Sequence, residues 1–125
     1  MSKHTKFIRS LPCVVCGDLI QTECAHIRFA EPRLQKPNSR GLKPPDYCTI
    51  PLCSQHHRAQ HETSEKDWWT WWRLDPHFIS LSLYVNSGNY LKCCRIIEWH
   101  QDNSSRCLDL KTGIMQNMLS KKINI

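Results

Sequence analysis

Two short motifs, far apart in the chain, constrain the fold more than anything else in it: Cys13-Val14-Val15-Cys16-Gly17 and Cys53-Ser54-Gln55-His56. A C-x2-C turn aims two thiolates at one point, and a C-x2-H turn does the same with a thiolate and an imidazole. Together Cys13, Cys16, Cys53 and His56 form a Cys3His set, the tetrahedral donor group of a structural zinc ion. Gly17 allows the left-handed turn in which backbone amides point back at the sulfurs. Any fold of this chain must therefore bring residues near 15 against residues near 55. The competing reading of the same residues is a group of reduced, buried cysteines with no metal.

Composition narrows the class. Eight cysteines occur in 125 residues, which in a secreted protein would suggest disulfides. The start of the chain has no apolar signal-peptide core, however, so a reducing, cytoplasmic setting is expected, with cysteines as ligands. No apolar run approaches a membrane span. The 17 Lys and Arg outweigh 11 Asp and Glu, a formal charge of +6, which suits a polyanion such as nucleic acid. The length fits a single domain, 1–125, small enough that a structural metal matters. Within it we expect a zinc-knuckle core over 10–62, a helical, aromatic-rich extension over 63–101, and a tail of uncertain order over 102–125.

Residues 1–12 read as a basic, flexible start ordered by Phe7 and Ile8. Thr22 to Phe29 reads as a strand with Cys24, His26 and Arg28 on one face. A histidine and an arginine so placed suit phosphate handling, one moving a proton and the other holding an anionic oxygen; the alternative reading of His26 is an ordinary half-buried histidine. Glu31 to Pro45 is proline-rich and irregular, with Arg33, Lys36, Arg40 and Lys43 as phosphate-tracking candidates. Tyr47 to Leu52 is a second strand that delivers Cys53. From about Ser54 a helix would put His57 and His61 on one face, one turn apart, ready to hold a second metal ion.

Ser64 is placed to cap the next helix, on which Trp68, Trp71 and Trp72 form the expected buried stripe; base stacking is the alternative role for these rings. Asp75-Pro76 ends it and can cap another; over 78–85 the alternation argues strand while the flanks argue helix, and helix is the expectation, partly on the family resemblance given below. Asn86 to Asn89 is a break. Tyr90 to His100 is the last predicted helix, with Leu91, Cys94 and Ile97 inward. Cys93, Cys94 and Cys107 lack ligand-like spacing and read as packing residues or free thiols.

The order C-x2-C, Ala25-His26-Ile27-Arg28, Gly41-Leu42-Lys43-Pro44-Pro45-Asp46, then Pro51-Leu52-Cys53-x2-His56-His57-x3-His61 resembles the HNH endonucleases. It is similar in particular to small phage and prophage proteins related to the recombination enhancement endonuclease. The resemblance covers roughly residues 10 to 62. It implies an α+β fold built on a zinc-stapled ββα-metal core, a short hairpin plus a helix, with additional C-terminal helices. It puts the general base on His26 and ligands of a catalytic ion on His57 and His61. Ala25 stands where many HNH enzymes carry a further metal ligand, so Asp46 is the candidate to replace it, as a ligand or by orienting a histidine. Cys48 falls near the position of the motif's asparagine. The roles of His56 and His57 are interchangeable at this level.

The function expected is metal-dependent hydrolysis of DNA phosphodiesters, with structural Zn2+ and a catalytic Mg2+ or Mn2+, or alternatively Zn2+ or Ni2+. Arg28 would be a second phosphate contact. The expected partner is duplex or single-stranded DNA in a bacterial cytoplasm or nucleoid, and by resemblance a recombination protein. A catalytically inactive zinc-knuckle nucleic-acid-binding protein is the alternative, and a structural zinc module docked on a protein is the third reading.

Overall fold

The structure, a computed structural model, describes residues 2–37 and 44–113. It is mixed α and β, with a two-stranded antiparallel hairpin surrounded by helices. Strand β1, Thr22–His26, pairs with β2, Thr49–Cys53, setting Thr22 opposite Cys53 and His26 opposite Thr49. Pro51 is tolerated because each strand of a two-stranded sheet has a free edge. Its carbonyl is used all the same, accepting from the Val14 N–H at 3.1 Å and so tying the Cys13 turn to β2.

The first twelve residues hold a helix, α1 (Lys3–Arg9), where a flexible start was expected. Ser2 caps it by accepting from the Thr5 N–H, and His4 and Ile8, one turn apart, are both buried. Helix packing thus overrides a basic, unremarkable local sequence. The strands are shorter than expected, since β1 stops at His26 and β2 starts only at Thr49. Arg28 therefore lies beyond the ladder, and its facing is not set by β alternation. Its backbone N–H instead donates to the Glu65 carboxylate at 3.0 Å. A short 3-10 turn, Pro32–Leu34, interrupts the segment read as irregular. Arg40, Gly41 and Lys43 lie outside the described residues.

Helix α2 (Ser54–Glu62) follows β2 directly, as the spacing predicts, with Cys53 as its N-cap. Then come α3 (Glu65–Trp72), α4 (Pro76–Val85) and α5 (Tyr90–Asp102). Asp75 caps α4 by accepting from the Phe78 N–H, with Pro76 in the first turn. The 78–85 stretch is thus helical, as expected, while Ser64 occupies the α3 cap position without a side-chain bond. Residues 105–113 are also helical and bury Cys107, so order extends past 102. The rest of the tail, 114–125, is outside the described residues.

One cluster of buried side chains links Ile8, Leu52, Trp69, Ile79, Ile97 and Cys107. Two expected faces are corrected by it. On α3, Trp69 is the tryptophan in the core at 1% exposure, whereas Trp71 is 54% exposed. On α5 the inward residues are Cys93, Ile97 and Gln101, and Leu91 faces solvent. Among the described residues no helix is long and apolar enough to cross a membrane.

Candidate metal centre and the adjoining histidine pair

The knuckle, the end of β2 and the first turn of α2 meet at Cys13, Cys16, Cys53 and His56, whose ligand atoms all lie within 4.8 Å of one another. Local folding explains how. The Cys13 carbonyl accepts from the Gly17 N–H at 2.8 Å, and Gly17 takes a φ of 77°, closing the knuckle as its glycine predicts. Cys53 ends the strand and its sulfur accepts from the His56 N–H, so α2 begins with two ligands aimed the same way.

The separations fit a metal ion. Cys16 Sγ and Cys53 Sγ are 3.8 Å apart, and His56 Nδ1 lies 3.9 Å from Cys13 Sγ and 3.1 Å from Cys53 Sγ. A tetrahedral zinc site with Zn–S of about 2.3 Å has S···S edges of about 3.8 Å. Electrostatics point the same way. The hydrogen bond with Cys16 holds the Cys13 thiol far below its ordinary value, while the same bond pushes Cys16 up. Burial pushes Cys53 up as well. Three thiolates so close repel one another, and a divalent cation is what lets all three ionise. The cluster could therefore hold a metal such as zinc.

Two contacts brace this centre from the helical half of the chain, and sequence reasoning did not find either. Trp68 and Trp72 flank the His56 ring, with centroids 6.4 Å and 5.5 Å away. Gln101, buried on α5, donates through Nε2 to the Cys13 carbonyl at 3.0 Å. The tryptophan-rich helix gave a signal for the first. Nothing in the local sequence marks a glutamine eighty-eight residues away as a partner of the knuckle.

The other predicted site residues fall into groups. His57 and His61 share one face of α2, with ring centroids 4.9 Å apart. His57 Nδ1 is 2.9 Å from Glu23 Oε1 on β1. A ring N–H donated to that carboxylate leaves Nε2 with its lone pair free, the arrangement typical of a metal-binding histidine. Glu23 was missed because only the strand register, with Leu52 opposite Glu23, puts it beside the first turn of α2. His61 is pushed below the ordinary histidine range by burial first, and then by His57 and Arg28. It is thereby favoured as neutral imidazole, the form that binds metals.

His26 closes β1, half-buried, with Nε2 inside the protein. Asp46 acts electrostatically on His4 of α1, and its backbone carbonyl accepts from Thr49 Oγ1 at 2.6 Å. The structure does not bring Asp46 together with His57 and His61 as a ligand triple. Among the described residues, the Cys3His cluster is the one set of three or more His, Cys, Asp or Glu side chains so converged. Compared with known proteins, the chain matches no family model, no curated protein and no solved structure.

Proposed function

We propose that this protein is a metal-dependent DNA endonuclease of the HNH kind, with the hairpin and α2 as a ββα-metal unit and the Cys3His cluster as its zinc staple. The observation that carries the reading is the Glu23–His57–His61 arrangement on the face of α2, beside the cluster but separate from it. A structural staple needs only Cys13, Cys16, Cys53 and His56. A second pair of imidazoles, one held by the Glu23 carboxylate and the other pushed toward its neutral form, goes beyond what the staple needs on a half-exposed helix face.

In this reading His57 and His61 hold a divalent ion, Mg2+ or Mn2+, which supplies neutralisation of the charge that builds on a phosphate during hydrolysis. Glu23 fixes the His57 ring. His26, as neutral imidazole, accepts a proton from the attacking water. Arg28, with its side chain exposed just past β1, meets a second phosphate oxygen. Contacts of this kind engage the sugar–phosphate backbone, so weak base selectivity is expected.

The test is cleavage of supercoiled plasmid and single-stranded circles across Mg2+, Mn2+, Ni2+ and Zn2+, with wild type beside His26→Ala and His57→Ala. The expected outcome is cutting by wild type, with each variant reduced by about a hundredfold or more and normally folded. Salt-sensitive DNA binding without cutting in any ion would replace this reading with the binding-protein one.

A further inference from the structure

Helix α5 carries its charges the wrong way round for a helix standing alone. Lys92 and Arg95 sit in its first half, Glu98 and Asp102 in its second, and no acidic residue occupies its first turn. The helix dipole favours the reverse. The spacing adds to this, because Lys92 and Arg95 are like charges three apart, and Glu98 and Asp102 are like charges four apart. All four side chains are exposed. Asp102 meets Lys111 at 3.2 Å, but among the described residues Lys92, Arg95 and Glu98 make no ion pair.

The same outward face is apolar between these charges. Trp99 is 60% exposed and Leu91 70%. With Ile96, Lys92, Arg95 and Ser82 of α4 they line a cleft of about 680 Å³. From Pro76 to Asn89 the adjoining chain has no Lys, Arg, Asp or Glu, and Val85 stands 73% exposed within it. An apolar patch of this kind, uncovered among the described residues, marks an interaction surface.

We propose that the occupant is a second copy of this chain, with α5 packed antiparallel on its equivalent about a two-fold axis. Charge complementarity selects this partner. An antiparallel copy lays Glu98 and Asp102 along Lys92 and Arg95, twice over, which is the self-matching pattern an isologous interface requires. It turns the charge order that is unfavourable within one helix into a favourable one between two. Arg95 meets Glu98 of the second copy on one flank, and each Trp99 enters the cleft of the other copy. A nucleic acid would use Lys92 and Arg95 but be repelled by Glu98 and Asp102. Arg and Trp are also the residues on which protein interfaces most depend.

Sedimentation and light scattering of the full, metal-loaded chain test this without reference to nuclease activity. Wild type should be a concentration-dependent dimer. Arg95→Glu and Glu98→Arg should each weaken association by about a hundredfold, since like charges then face each other twice. Both changes lie on exposed positions, and unchanged circular dichroism and metal content would show the fold intact. Mixing the two variants, or combining them in one chain, should restore the dimer, because opposite charges face again. A monomeric wild type overturns the proposal. So do single variants that remain dimeric, or a mixture that stays monomeric. If wild type is monomeric and Trp99→Ala weakens DNA binding, the face belongs to nucleic acid instead.

Discussion

Cys13 has no exposed surface, and exchanging its sulfur for a hydroxyl removes one of the three thiolates of the Cys3His set. Cys13→Ser should bind less than one equivalent of zinc and melt at lower temperature than wild type, measured by metal analysis and circular dichroism. Binding energy of roughly 10 to 16 kcal/mol at such centres is coupled to folding. Full chelation should therefore unfold the wild-type chain, and an unchanged melt would count against a structural metal. Glu23→Gln tests the second site at the same scale. It removes the charge that holds His57 but leaves Cys13, Cys16, Cys53 and His56 untouched. Affinity of the histidine pair for Mn2+ should fall by about tenfold to a hundredfold with zinc content unchanged, read by calorimetry. The four Cys3His positions were legible from spacing because tight turns fix ligand geometry locally. Glu23 and Gln101 were not, because their roles depend on strand register and on the docking of a distant helix.

The helices show where periodicity stops being informative. On α3, four of eight residues are tryptophans, so an apolar stripe can be drawn on almost any side, and only the neighbours decide which ring enters the core. Trp69 does so, while Trp71 lies under the Arg106 guanidinium, 4.2 Å from its ring centre. Trp69→Ala should accordingly cost about 3 to 5 kcal/mol, and Trp71→Ala much less, compared by urea unfolding. Equal losses would mean that the core lies elsewhere. Helices α2 and α4 were readable because their starts are chemically marked, by Cys53 at the end of a strand and by Asp75-Pro76. Helix α1 and residues 105–113 are marked only by serines, Ser2 and Ser104, whose hydroxyls accept from the N–H groups of Thr5 and Cys107, a residue type equally common in loops. Each is short and is held by burial of a few side chains, such as Ile8 and Cys107, which local sequence does not reveal.

For the molecule as a whole, three histidines away from the metal ligands set a common pH response. His4, His77 and His100 are each pushed below the ordinary value of 6.5, in every case chiefly by burial. Below 6.5 the unfolded chain takes up protons that the folded chain resists, so the unfolded state binds more of them and stability falls with falling pH. The urea midpoint should decline from about pH 7 toward pH 5, and His77→Leu should make the decline shallower than in wild type. The architecture also has an order in time. Of the four metal-site residues, His56 is the last in the sequence, so all are synthesised before any residue of α3 exists, and the metal can be captured on a nascent chain. Gln101 reaches the Cys13 carbonyl only after α3 and α4 have been made. The ribosome thus delivers the staple before the latch, and a chain stopped short of α5 would leave the knuckle bound but unlatched.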